Sequence, residues 1–258
     1  MIKSNKRENK IVQNKLTKFS LKLLDLVFPR HIKCVFCGDE LNEKGYNDSC
    51  VNCMSTLPFI VHACPRCGEE IKENNSGVCF NCKSRNYNFE NAKSVFTYEK
   101  YVKMAVHKFK YSNQTFLAEP FANFMIEELV KWDVDIDIIT YVPMHLNKER
   151  VRGYNQAKLL ADEISSKIKI PCLDLTSKVV EKGSQTSLSF EDRKENVKNT
   201  FRFNNNHKQA VKDKAILIVD DVFTTGATTS EIAGVLKHAG AKSVYVLTLA
   251  HTSLNNLC

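Results

Sequence analysis

The stretch ILIVDDVFTTGAT, residues 216–228, runs from an apolar segment into two carboxylates and then into a turn of Thr and Gly. Ile216 to Val219 read as a short, fully buried strand, because the run is continuous and β-branched. Asp220 and Asp221 follow at its carboxyl end, where open α/β sheets take their ligands. Thr224, Thr225, Gly226, Ala227 and Thr228 form a tight turn, and the spacing of Ile232, Val235, Leu236 and Ala239 predicts a helix directly behind it. A turn of small residues feeding a helix N-terminus offers N–H groups and hydroxyls to a phosphate. Paired carboxylates repel a phosphate unless they grip something else, such as hydroxyl groups or a metal. A ribose 5-phosphate carries both halves of that ligand. Capping of a helix explains one Asp but poorly two. No G-x-x-x-x-G-K-[ST] and no G-x-G-x-x-G occurs, which excludes a Walker loop and a dinucleotide fingerprint.

Two further clusters carry charge. VPMHLNKERVRGYNQA places Lys148, Arg150 and Arg152 in what reads as a loop that then opens a helix. Crowded like charges are costly unless an anion neutralises them, and a pyrophosphate would do so; a solvated basic loop is the plainer alternative. In KVVEKGSQTSLSFEDRKENVKNTF, Ser189 and Asp192 resemble a capping box for a short helix holding Arg193 and Asn196. The polar start of that segment, 178–187, reads as a lid.

Eight of the ten cysteines form four C-x-x-C knuckles: Cys34 and Cys37, Cys50 and Cys53, Cys64 and Cys67, Cys79 and Cys82. One knuckle sets two thiolates on one side of a turn, and two knuckles complete a tetrahedral zinc site, so two structural zinc ions are expected. Four sulfurs leave no open position for chemistry, and they make His31 and His62 superfluous as ligands. Disulfides are the alternative, but four such knuckles without a secretion signal argue for metal in a reducing compartment. Spacing leaves open whether neighbouring knuckles pair consecutively or interleave. Gly38 and Gly68 stand where a knuckle turn needs positive φ. Cys172 reads as a buried thiol and Cys258 as a terminal bystander.

These parts need a scaffold. Residues 1–30 read as a basic tail and an amphipathic leader helix, 31–88 as a zinc module, and 89–258 as an α/β domain. AKSVFTY and SVYVLTLA read as strands, as does the run Ile136, Ile138, Ile139, Tyr141, Val142. EKYVKMAVHKFKYS, FLAEPFANFMIEELVKW and YNQAKLLADEISSKI read as helices, with Pro120 near the start of the second. No repeat or low-complexity tract stands out, and NNNHKQ at 204–209 reads as a loop. The formal charge of +8 favours polyanionic partners, although a Lys-rich solvated surface accounts for much of it. No apolar run reaches the ~18 residues of a membrane span, and the leader has no small-residue cleavage site, so a cytoplasmic protein is expected.

Residues 216–228 resemble the signature of type I phosphoribosyltransferases, which bind 5-phosphoribosyl-1-pyrophosphate (PRPP). Zinc knuckles ahead of that signature, RGYNQ at 152–156, and the spaced set Gln185, Leu188, Arg193, Asn196 and Phe201 together resemble the ComF family. Tyr154 departs from the usual Phe, and Lys178 and Lys182 stand where Arg and Thr are common. The resemblance implies a type I phosphoribosyltransferase fold, mostly parallel sheet flanked by helices, with a small zinc-ribbon module in front. It implies that Asp220 and Asp221 hold the ribose hydroxyls and that Thr224 to Thr228 wrap the 5-phosphate. Lys148, Arg150 and Arg152 would face the pyrophosphate, Mg²⁺ would bridge it to the ribose, and Lys178, Gln185 and Arg193 would close over the site and exclude water. A transferase would displace pyrophosphate through an oxocarbenium-like transition state by positioning and charge alone. The family further implies DNA uptake in natural transformation, with single-stranded DNA and a competence helicase as partners. The alternative is a metabolic phosphoribosyltransferase, with a nucleobase or other acceptor and no DNA role.

Overall fold

A computed structural model describes residues 32–41, 45–71, 77–179 and 200–252. The leader helix, His31, Gln185, Arg193, the capping box and Cys258 lie outside the described residues. The core is a four-stranded parallel sheet of β1 (Ala92–Thr97), β2 (Ile138–Tyr141), β5 (Ala215–Phe223) and β6 (Ser243–His251), in the order β1-β6-β5-β2. Its helices are α1 (Lys100–Tyr111), α2 (Ala118–Val130), α3 (Leu146–Arg152), α4 (Gln156–Ile168) and α5 (Ala227–His238). A small antiparallel pair, β3 (Thr176–Lys178) with β4 (Phe201–Phe203), stands beside the sheet.

Period-two alternation sorts the central strand onto two faces. Leu217 and Val219 join Val106, Phe109, Phe121, Met125, Leu160 and Ile164 under α1, α2 and α4. Ile216 and Ile218 join Ile232, Leu236, Val244 and Val246 under α5. Both faces are apolar because a parallel sheet is covered on both sides. Pro120 falls in the first turn of α2, where its missing N–H breaks no helical bond.

The zinc ribbons have no core apart from that of the sheet. Phe36, between Cys34 and Cys37, is fully buried against Phe96, Phe121 and Phe124 on the α2 side. Cys64, Cys67, Cys79 and Cys82 pack with Phe89, Phe223 and Val246 on the α5 side. The segment joining the ribbons runs antiparallel along β1: Ile60 N donates to Val95 O at 3.0 Å and Thr97 N donates to Pro58 O at 2.8 Å. The ribbons thus clasp one sheet edge. The other edge, β2, is covered by Pro171–Leu173 through two bonds to Ile139.

Four expectations need correction. The strand expected at 216–219 continues through both acids to Phe223, because β6 offers ladder partners as far as His251. The expected basic loop is the helix α3: Leu-Asn-Lys-Glu-Arg are compatible with helix, His145 caps its start, and Gly153, at φ 88, ends it. The polar 204–209 stretch is a 3-10 turn, Asn205–His207, leading into a helical turn at Lys208–Val211. The ribbons are also an internal repeat. Lys33 bridges Glu40 as Ala63 bridges Glu70, and Cys34 N donates to Asp39 O as Cys64 N donates to Glu69 O, both at 2.7 Å. Among the described residues, no helix is long and apolar enough to cross a membrane.

Candidate functional site

Each zinc cluster brings its four sulfurs within 4.8 Å of one another, and the knuckles pair consecutively: Cys34, Cys37, Cys50, Cys53 in one, and Cys64, Cys67, Cys79, Cys82 in the other. Gly38 and Gly68 adopt φ 87 and φ 75, as the knuckle turns require. Backbone N–H groups of Cys50 and Cys79 donate to the Cys34 and Cys64 sulfurs at 3.3 Å each. In the second cluster, hydrogen bonding to Cys67 drives the Cys64 thiol far below its ordinary range, while the same contact drives Cys67 far above it. Four sulfurs this close resist carrying negative charge together. A zinc ion would hold all four as thiolates and offset that repulsion, which is the chemistry of a closed four-thiolate shell. Cys172 stands apart, half-buried, with its thiol pushed up to about 12 by burial.

The turn expected to take a phosphate stands at the end of β5. Gly226 ends the turn at φ 75 and begins α5; a Cβ there would meet Phe223 Cζ at 2.5 Å and Tyr87 Cε1 at 2.8 Å. Only glycine fits, both for its sign of φ and for the space. Thr225 is buried and its hydroxyl accepts from Ala227 N at 3.4 Å, while Thr224 is exposed and Thr228 half-buried. The first turn of α5 presents its N–H groups beside these hydroxyls.

Asp220 and Asp221 lie in the last turns of the ladder before that loop. Asp220 folds back so that its carboxylate accepts from Asp221 N at 2.8 Å. Burial and the neighbouring Asp221 carboxylate push the Asp220 carboxyl up to about 8. Asp221 pairs with Lys110 Nζ at 2.8 Å. Burial works against the charge of Lys110, yet Asp221 outweighs it and holds the ammonium above its usual range. Lys110, at the end of α1, belongs to the site and was not foreseen.

Lys110 also lines a cavity of about 530 Å³ with Tyr111, Asn113, Lys148 and Arg152. Helical geometry explains which basic residues reach it: Lys148 and Arg152 are four apart and share a face of α3, whereas Arg150 is exposed and does not line the cavity. The Arg152 guanidinium lies 4.8 Å from the Tyr111 ring centroid and donates to Gln156 Oε1 at 2.7 Å. Asn155 caps α4 and ties it to β2 by donating to Val142 O at 3.0 Å. Tyr154 donates its hydroxyl to the Phe109 carbonyl, so the hydroxyl that distinguishes it from Phe has a buried partner. Lys178 lies at the end of β3, 5.8 Å from the Phe201 ring centroid.

Residues 23–83 match the double zinc ribbon domain family and residues 155–253 match the phosphoribosyl transferase domain family. Competence protein F of Haemophilus influenzae is 27% identical over 228 residues, covering 85% of this chain and 97% of that protein. The chain is similar to such competence proteins over most of its length. Competence protein ComFC of Streptococcus pneumoniae is 28% identical over 84% of this chain and 99% of its own length. A DNA utilization protein YhgH of Salmonella typhimurium is 29% identical over 79% and 90%. The chain thus joins a double zinc ribbon to a phosphoribosyltransferase fold, and its two cysteine clusters support two structural zinc sites. Lys110 and Tyr87 precede the phosphoribosyl transferase match and follow the ribbon match, so neither domain description covers them.

Proposed function

We propose that this protein binds PRPP with Mg²⁺ at the loop following β5 and acts in the cytoplasm on single-stranded DNA during uptake, alongside a competence helicase. The observation that carries the PRPP half is the convergence of three unlike groups: the Thr224–Thr228 turn, the acids Asp220 and Asp221, and the Lys110, Lys148, Arg152 cavity beside them. In this reading the turn takes the 5-phosphate, the acids take the ribose hydroxyls, and the basic cavity takes the pyrophosphate. Mg²⁺, when bound, offsets charge between pyrophosphate and ribose. The chain's own residues position the ribose and stabilise the departing anion. Lys178 stands close enough to oppose in part the rise that burial gives the Asp220 carboxyl, and it adds to the basic side of the site. Gln185 and Arg193, expected to close over it, lie outside the described residues.

The DNA half is supported by the names of the relatives, competence and DNA utilization proteins, and by the basic character of the chain. The rival reading, a phosphoribosyltransferase with a small acceptor and no DNA role, is favoured by the enclosure of the acids. Calorimetry with PRPP and Mg²⁺, then with a short single-stranded DNA, separates them. PRPP binding with DNA binding at low salt supports the proposal; PRPP binding alone supports the rival; neither would overturn both.

A further inference from the structure

The residues leaving the second zinc cluster run directly against the phosphate turn. Arg66, inside the Cys64–Cys67 knuckle, donates to Cys82 O at 3.3 Å and to Asn86 Oδ1 at 3.1 Å. The same knuckle holds the start of β1, with Ala92 N donating to Arg66 O at 3.0 Å and Asn91 donating to Pro65 O at 3.0 Å. Between those anchors, Tyr87 stacks on Phe89 at 4.7 Å and meets Phe223 edge-on at 6.3 Å. Its hydroxyl donates to Thr225 O at 3.2 Å, inside the turn itself. Its ring also fills the space where a side chain on Gly226 would stand. One residue on, Asn88 donates from its backbone to Ser230 Oγ at 3.0 Å and from its side chain to Ser230 O at 2.9 Å, in the first turn of α5. Among the described residues the first cluster makes no such link: its Phe36 packs on the opposite face of the sheet.

We propose that Tyr87 and Asn88 are positioning residues for the phosphate turn, so that its grip on a phosphate depends on the metal state of the Cys64, Cys67, Cys79, Cys82 cluster and not on that of the other cluster. This rests on the reading of the turn as the 5-phosphate site of PRPP. The turn has few bonds of its own, and a floppy turn must lose freedom each time it binds. A ring packed under Gly226 and a hydroxyl on Thr225 O hold it ready. The ring is in turn only as fixed as the segment from Asn86 to Ala92, which the Cys64–Cys67 knuckle fastens at both ends. Loss of the metal releases that knuckle and with it the floor of the turn. Coupling of this kind is reciprocal: a phosphate ligand that orders the turn must strengthen metal retention by the same factor.

The experiment uses the full chain. Zinc content, thermal unfolding, and PRPP binding with Mg²⁺ by calorimetry are measured for the wild type, Tyr87→Ala and Tyr87→Phe. Tyr87→Ala is expected to keep both zincs and to bind PRPP about tenfold more weakly, which corresponds to about 1.4 kcal/mol. Tyr87→Phe, which keeps the ring and loses only the hydroxyl, is expected to lie between the two and remains informative if the alanine variant does not fold. Zinc release from the wild type by a mercurial reagent is then followed with and without saturating PRPP. Two phases are expected, with PRPP slowing one of them only. Wild-type affinity in a zinc-replete Tyr87→Ala, or two release phases both indifferent to PRPP, would overturn the inference. A wild-type chain that binds no PRPP would overturn the reading beneath it instead.

Discussion

Lys110 at the end of α1 reaches across to Asp221 in β5, with Nζ 2.8 Å from Oδ1, and both side chains are largely buried, at 21% and 11% exposed. The pair joins the acids that would face a ribose to the cavity that would face a pyrophosphate. Removal of one partner strands the other charge in a place water reaches poorly. Lys110→Met should therefore cost about 3 kcal/mol of stability, measured by urea unfolding. Adding Asp221→Asn should return part of that loss, and a purely additive double mutant would show that the two groups are not coupled.

Asp220 gives a pH prediction for the ligand-free chain. Its carboxyl is raised to about 8 by burial and by Asp221, so the folded state binds a proton that the unfolded chain releases near the ordinary value of 3.8. The contribution is therefore present below about pH 4 and is lost as pH rises towards about 8. Asp220→Asn cannot ionise, so its stability should gain on the wild type steadily across that window. Parallel stability curves for the two proteins from pH 4 to 8, without ligand, would contradict the assignment.

Asp220→Asn combined with Asp221→Asn should abolish PRPP binding while both zincs remain, because the acids touch no zinc cysteine. Metal analysis and calorimetry on the same preparation check this. Undiminished PRPP affinity would mean that the acids are a relic of the fold.

Phe36 is enclosed by Phe96, Phe121 and Phe124, so the first ribbon and the sheet should unfold together. Phe36→Ala should lower the stability of the whole chain by roughly 3–5 kcal/mol, the cost of emptying a buried phenyl site. A calorimetric scan should show one transition, moved down. Two separated transitions would reveal an independent ribbon.

For DNA, contacts with three to five phosphates of a single strand give a slope of log affinity against log salt of roughly −2 to −3.5. Lys148 and Arg152 share the cavity, whereas Arg150 points elsewhere. Reversing the first two should flatten the slope by about 1.4, and reversing Arg150 should change it less if the cavity lies on the DNA path. PRPP should then compete with DNA. Equal effects at all three positions would indicate a diffuse basic surface.

The strands and long helices were legible because burial on both faces writes continuous apolar runs and burial on one face writes a 3.6-residue period. The turn after β5 was legible because glycine and small residues are needed there in a fixed order. The helix α3 escaped notice because LNKERVR has no apolar stripe: Leu146 and Val151 are both exposed, and Glu149 with Arg150 reads as solvent. Lys110 escaped because its partner is more than a hundred residues away, and a helical lysine carries no sign of a distant carboxylate. Tyr87 sat in KSRNYNFEN, whose polar composition reads as a connector, although an aromatic pair two residues apart was a hint that one face was covered. The repeat shows in the sequence only as a near-equal offset between the two cysteine sets, because little besides the cysteines and glycines marks it.

The clasp over β1 bears on how this protein fails. A parallel sheet is a sticky object: its outer strand offers unused amide and carbonyl groups, and each face offers bare hydrocarbon to any neighbour. Here the strip from Leu57 to Ile60 closes that border, and the ribbons flanking it shield the ends of both faces. The ribbons thus cover a strand edge as well as completing the fold. Oxidative or chelating stress that strips the cysteines would uncover that strand edge and open it to strand-to-strand association, and a chain cut back to residues 89–258 would begin life in that state. Quality control in the cell would then read zinc supply as protein abundance.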